Sequence, residues 1–344
     1  MLTFCTRAAR LALTAVALTL SVAGVNAQGA IPPLEKPVKV RMSHVPSFVY
    51  GGMYVAVEKG YFKERGLDVD LVIVRGGDTT FQVAGQTIEF SGGSADSAFF
   101  NSINRGLPLI AIGSLAVTDP KKSTNPVVVR KDLFDGGLTK IEQLKGKRVA
   151  NLAPGGITEY LLSLALATGG LGPKDVDMVM PMGFAQMAEA LNTKAVDAGA
   201  LAEPFATMAV QRGAGVIISD KHDLGEQILV IKTTRDYAKA RPDVVTNFLI
   251  GFLKGARDLA GDGFYKPENL AIIEKYTKVP AATILASATP LIPADGALNI
   301  DSIMRQQNYY MSRGYLTFKE PIAPAKFADT EFLQKANQSL SASQ

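Results

Sequence analysis

Three carboxylates open helices in this chain: Asp96, Glu159 and Glu203. Each falls in the first turn of an expected helix, next to a short loop of Gly, Ser or Pro. Two kinds of chemistry fit that placement. A carboxylate there can accept from the helix's own unpaired N–H groups and pair with the positive end of its dipole. It can also accept hydrogen bonds from an amine or amide of a ligand, which would favour a zwitterion or amino-bearing ring over a bare divalent anion. Glycine loops add a complementary capacity. Gly92-Gly93-Ser94 and Gly155-Gly156-Ile157-Thr158 each lead into a helix. The free N–H groups at such a start can hold a sulfonate, carboxylate or phosphate without a basic side chain. The same residue types are also ordinary turn and cap formers. His44, Phe48, Tyr50 and Phe205 could form apolar or stacking walls, or could simply pack in the core.

Parts for covalent chemistry are missing. The chain has no phosphate-binding loop with a lysine, no nucleophile elbow and no GxGxxG at its first helix. Its one cysteine, Cys5, and its two histidines, His44 and His222, cannot build a thiolate or histidine-rich metal site. No pair of carboxylates sits at a catalytic spacing. The residues point to non-covalent capture of a small molecule, with no enzyme activity, no cofactor and no metal.

The elements that must position these residues follow an α/β rhythm. Val38–Ser43 alternates as a strand, 52–59 reads as a helix, and 69–74 is a β-branched strand. A helix at 79–84, a strand at 88–90, a helix at 95–105 and an apolar strand at 107–115 follow. That order predicts a parallel sheet covered on both faces. The rhythm restarts with strands at 127–130, 147–151, 176–180, 196–200 and 216–218, and helices at 156–167, 185–191 and 203–211 between them. Asp96 stands before Arg105-Gly106 at the spacing that separates Glu203 from Arg212-Gly213, a weak internal repeat. A strand at 228–231 and helices at 241–259, 267–276, 281–287, 301–313 and 326–336 complete the chain. This helical tail is expected to return to the first unit. The domains would then be 38–117 with 222–340, and 118–221 as an insertion, with a hinge near 116–123 and 219–225.

Ligands of open α/β sheets bind beyond the carboxyl ends of the strands. Those ends carry His44, Pro46, Ser47 and Phe48; Gly76 and Gly77; Ser94, Ala95 and Asp96; and Val117 and Thr118 in the first unit. In the second they carry Gly155, Gly156, Thr158 and Glu159, then Gly183-Phe184, then Glu203 and Phe205.

The first 27 residues read as a cleavable signal peptide. Arg7 and Arg10 precede an apolar run from Leu11 to Val25, and Val25-Asn26-Ala27 presents small residues for cleavage. The run is too short for a stable membrane span. Cys5 would leave with the leader, so no lipid anchor is expected. With 36 Lys and Arg against 32 Asp and Glu, and no basic block, nucleic acid is not an expected partner.

Tyr54-Val55-Ala56-Val57-Glu58-Lys59-Gly60-Tyr61-Phe62, followed by Gly66-Leu67-Asp68-Val69, resembles a signature of the nitrate/sulfonate/taurine substrate-binding proteins, a family related to binding proteins for thiamine pyrimidine precursors. Leu144-Lys145-Gly146-Lys147-Arg148-Val149, Glu203-Pro204 and Arg241-Pro242-Asp243-Val244-Val245 also match its pattern. The resemblance implies a type II periplasmic-binding-protein fold: two α/β domains, a hinge and an interdomain ligand cleft. It implies a monomeric periplasmic protein that carries a small-molecule ligand to an ABC importer permease and its ATPase subunit. Family binding positions fall on the loops named above. The cargo reads as a sulfonate or aromatic carboxylate, with a pyrimidine-type thiamine precursor as the alternative. Two departures matter. The chain has no tryptophan, which excludes an indole wall, and it lacks the cysteine-rich motif of the family's pyrimidine-forming enzymes.

Overall fold

The computed structural model describes residues 29–74, 79–85 and 87–342. The proposed signal peptide, Gly76 and Gly77 therefore lie outside the described residues. The chain opens with strand β1 (Val38–His44), helix α1 (Gly51–Glu58), β2 (Leu67–Ile73), α2 (Thr79–Ala84), β3 (Phe90–Gly93), α3 (Ser97–Asn104) and β4 (Leu109–Val117). The second unit contributes β5 (Val127–Arg130), α4 (Lys131–Asp135), β6 (Arg148–Ala150), α5 (Ile157–Thr168), β7 (Asp177–Val179), α6 (Phe184–Asn192), β8 (Ala198–Ala200), α7 (Phe205–Gln211) and β9 (Gly215–Ser219). Then follow β10 (Gln227–Thr234), α8 (Arg235–Ala240), α9 (Pro242–Asp258), α10 (Pro267–Thr277), α11 (Ala281–Ala286), α12 (Ile300–Ser312), α13 (Pro324–Phe327) and α14 (Glu331–Ala342).

Two five-stranded sheets result, in the orders β2-β1-β3-β10-β4 and β7-β6-β8-β5-β9. The wholly parallel sheets expected from the βαβ rhythm are corrected here. β10 runs antiparallel to β3 and β4, and β5 runs antiparallel to β8 and β9. Connectivity forces this reversal. A strand that begins where the chain has just crossed from the other unit must run away from that crossing, while its neighbours run toward it. The spaced repeat does map onto equivalent places, since β3-α3-β4 and β8-α7-β9 occupy matching sheet positions. Gly106 and Gly213 end the two helices at φ +87° and +73°.

Three local expectations also change. The third strand lies at Phe90–Gly93, not 88–90, so Gly92 and Gly93 belong to the sheet and pair with Ile231 and Val230. Helix 326–336 is broken, because Ala328 bridges to Ala111 and the Asp329 N–H bonds the Ala111 carbonyl. Helix α8, missed in sequence, starts where the Thr234 hydroxyl accepts from the Tyr237 N–H at 3.1 Å.

The first sheet is held on one face by α1 and α9. Phe248 of α9 stacks on Phe90 with centroids 3.9 Å apart and on Phe62 at 5.2 Å. Pro242 at the first turn of α9 pre-sets its start. The two helices touch backbone to backbone. A Cβ on Gly255 would overlap the Gly52 carbonyl oxygen and sit 2.8 Å from the Ala56 nitrogen. Gly255→Ala is therefore expected to destabilise the protein by about 1–3 kcal/mol, seen as a lower urea midpoint.

Candidate functional site

The carboxyl ends of the two sheets converge on the crossings between β4 and β5 and between β9 and β10. These crossings are joined to each other. The Thr118 N–H bonds the Glu226 carbonyl at 2.9 Å, the Gly225 N–H bonds Thr118 at 3.1 Å, and the Ser123 N–H bonds Asp220 at 2.6 Å. Val117 and Thr118 are buried here, and Val117 bridges to Leu291.

On the first unit, His44 ends β1 as a buried ring. Its Nδ1 lies 3.1 Å from the Tyr54 hydroxyl, and both Tyr50 and Tyr54 meet it edge to face. Burial lowers its pKa and keeps the imidazole neutral. Tyr54 stacks on Tyr276 at 4.4 Å, and its hydroxyl accepts from the Ser47 N–H at 3.3 Å. Phe48 is buried in the first unit's core, whereas Val45 and Pro46 are exposed. Gly92 has a packing reason: a Cβ there would collide with the Tyr50 ring, whose hydroxyl donates to the Gly92 carbonyl at 3.0 Å. Asp96 caps α3, accepting from the Phe99 N–H at 3.0 Å and from Ser94 Oγ at 3.2 Å, with Ala95 buried beside it.

On the second unit, Gly155 sits at φ +66° and its carbonyl accepts from the Ser97 N–H of the first unit at 3.1 Å. A Cβ on Gly155 would strike the Ser97 side chain, so this meeting of the units requires glycine. Gly156 is the residue before α5, and Thr158 donates to Asn151 Oδ1 at 2.7 Å. Glu159 is 0% exposed. One of its oxygens accepts from the Gly155 N–H at 2.8 Å; the other takes Tyr309 and Tyr315 hydroxyls at 3.0 Å each and Arg313 Nε at 3.2 Å. A second carboxylate, Glu226, accepts from Tyr160 at 3.2 Å, from Arg305 Nη2 at 2.6 Å and from Ser302. Both carboxylates thus fasten α5 to α12 across the units.

Glu203 precedes a cis peptide bond to Pro204. It turns back on its own helix, accepting from the Thr207 N–H at 3.0 Å and the Thr207 hydroxyl at 3.1 Å, and burial raises its pKa. Phe205, half-buried, pairs with half-buried Phe184 at 5.8 Å and 28°. Leu152, two residues beyond β6, is exposed, and its carbonyl accepts from the Met182 N–H just before α6 at 3.2 Å.

Of the two roles open to the carboxylates, the structure gives all three an internal one: Asp96 and Glu203 cap, and Glu159 ties the units. Sequence reasoning missed Asn151, Glu226, Arg305, Tyr309, Arg313 and Tyr315. A signal existed in α12, where Arg305, Tyr309 and Arg313 recur at helical spacing and form one polar stripe.

A model of the NMT1/THI5-like proteins matches residues 47–262. The chain belongs to the NMT1/THI5-like family. It is 29% identical over 62% of its length to the putative binding protein YtlA of Bacillus subtilis, and 22% identical over 76% to the nitrate/nitrite binding protein NrtA of a Nostoc strain. These matches cover 64% and 63% of the relatives, less than two thirds of the curated proteins' length. A putative thiamine biosynthesis protein of Haemophilus influenzae is 29% identical over 38% of the chain and 39% of that protein. Among solved structures, the alkanesulfonate-binding protein SsuA of Xanthomonas axonopodis pv. citri, bound to MOPS, superposes with a TM-score of 0.69 at 18% identity. That match covers 86% of this chain and all of SsuA. The desulfurization enzyme DszB matches at 0.65 and 18%, covering 89% of this chain and 99% of the enzyme. The fold is that of the periplasmic binding proteins, and it also carries enzymes. No helix among the described residues is long and apolar enough to cross a membrane.

Two predictions follow from the joined units. Glu159→Ala leaves Arg313 and two tyrosines without their acceptor, and is expected to cost about 3 kcal/mol. It should also enlarge the radius of gyration in small-angle scattering. The crossing supplies the second. Asp223 is buried, and the Ser123 and Thr118 hydroxyls lie near it without full hydrogen-bond geometry, so burial pushes its pKa up to about 6. An unfolded aspartate titrates near 4, so this group costs stability as pH rises through about 6. Asp223→Asn should raise the melting point at pH 7.5 by the equivalent of roughly 1–2 kcal/mol and lose that advantage below about pH 4. His222, pushed down to about 4 by burial, works the other way: its contribution is present above its ordinary value and fades as pH falls toward 4.

Proposed function

We propose that this chain is the periplasmic solute-binding component of an ABC importer. It captures a small organic anion or zwitterion, of the sulfonate or aromatic-carboxylate type, between its two units and presents it to a permease driven by its ATPase subunit. The observation that carries this reading is the meeting of two strand-end loop sets across a two-crossing hinge. Ser97 touches Gly155 there, and glycine is required for the contact. Ligands close such clefts by hinge bending. Family membership supports the same role. The reading keeps 38–117 with 222–340 as one domain and 118–221 as the other, a cleavable leader at 1–27, and a monomer.

The cargo class now rests on different residues. The carboxylates are used internally, so they no longer argue against an inorganic anion. The Phe184–Phe205 pair with Leu152 and Val45 supplies apolar surface at the strand ends, which favours an organic body on the ligand. Gly156, Thr158, Ser47 and Pro46 remain the proposed contacts beside it. A pyrimidine-type thiamine precursor is the second reading, favoured by the Haemophilus match.

A thermal-shift screen of the purified protein against sulfonates, aromatic carboxylates, nitrate and pyrimidines tests this. A true cargo at about 100 times its Kd should add about 2.7 kcal/mol of stability. Turnover of a compound that fails to shift the melt would replace the carrier with an enzyme.

A further inference from the structure

Lys232 lies within β10 and is fully buried. Strand register sets Ser91 of β3 beside it, and Ser91 in turn faces Ser43 of β1. The three side chains therefore share one face of the sheet in a single row, and each is 0% exposed. Lys232 Nζ donates to Thr80 Oγ1 at 3.1 Å and lies 5.1 Å from the centre of the Phe99 ring. No carboxylate among the described residues pairs with it at ion-pair distance. Asp96 acts on it only from further away, and burial dominates, lowering its pKa. The hydroxyls of Ser43, Ser91 and Tyr310, the last packed in the same cluster as Phe99 and Val230, have no partner among the described residues.

The hydroxyls can each donate or accept, but none of them carries the negative charge that a buried ammonium needs. An ammonium has three N–H donors, and among the described residues one is used, at Thr80. An ammonium buried without a counter-charge is costly. A cation would be repelled, and a neutral apolar group would leave every donor unsatisfied. An oxyanion satisfies the amine and the hydroxyls together, by charge-assisted hydrogen bonds. The row also lies at the right depth. Ser43 directly precedes His44 at the end of β1, and Ser91 lies in the short strand that ends at Gly93.

We propose that Lys232, Ser91 and Ser43 form a buried anion subsite at the floor of the cleft, which takes the sulfonate or carboxylate group of the cargo. This deepens the carrier reading and rests on it. Titration calorimetry of the full chain with sodium methanesulfonate and with sodium acetate tests the subsite directly. Both probes should bind the parent protein. Lys232→Met should weaken them by about tenfold to a hundredfold, while melting at least as high as the parent because a buried charge has gone. The Ser43→Ala/Ser91→Ala double variant keeps the charge and should weaken both probes by at least severalfold; it is the second arm if the methionine variant does not fold. Unchanged probe affinity in either variant, or no binding of either probe to the parent, overturns the subsite. If an organic cargo binds the parent and Lys232→Met equally, the subsite falls and the carrier stands. If methanesulfonate binds through Lys232 but no larger sulfonate, aromatic carboxylate or pyrimidine binds, the subsite stands and the larger organic-cargo assignment falls.

Discussion

Glu159 is the interaction on which the arrangement of the two units depends. A carboxylate removed from water must find its full complement of donors inside the protein. Glu159 takes one from its own loop, at Gly155, and three from the first unit, at Tyr309, Arg313 and Tyr315. The sequence of α12 therefore matters as much to the second unit as to the first. Glu226, held by Arg305, Ser302 and Tyr160, repeats the arrangement at the crossings. The two acids make α12 a polar rail along which α5 is seated. Gly155 then reaches Ser97, and the loops at the strand ends of both sheets come face to face.

This division of labour changes what the acidic residues mean. Placed at helix starts, they looked equally suited to a ligand and to the backbone. In the folded chain their oxygens are engaged by the protein, so recognition falls to other groups. Under the proposed function, apolar recognition falls to the Phe184–Phe205 pair and to Leu152 and Val45. Under the proposed subsite, charge recognition falls to Lys232 in the sheet. Gly92 of the third strand serves the aromatic packing of Tyr50.

Much of the architecture was legible in the sequence because it rests on short-range pattern. The alternation of Val38–Ser43, the β-branched run at 69–74 and the glycine-closed helices are local signals, and their elements lie within a few residues of where they were expected. The family signature placed the order of the whole chain. Strand direction was not legible from rhythm, because it is set by where the chain crosses. The boundary of β3 was missed because Gly92 and Gly93 look like loop residues until the Tyr50 ring over Gly92 and the pairing of both with β10 are known. The partners of Glu159 lie about 150 residues away in α12 and α12's flank, a separation no local pattern reports. Lys232 could have been noticed: it is the one charged residue in the otherwise apolar and polar-neutral strand Gln227–Thr234.

The two crossing segments are laced together by Thr118, Gly225, Glu226, Ser123 and Asp220. Mechanically, a pair of parallel straps that are tied to each other resists twist and shear and leaves bending about one line as the soft mode. Under the proposed hinge, the relative motion of the halves is thereby reduced to a single degree of freedom. Every strand-end loop then travels on a fixed arc, so how far the cleft opens and which loops part first are one quantity, not several. A ligand that reaches both halves acts on that single coordinate, and the outward shape it leaves on the protein reports how completely it has been enclosed.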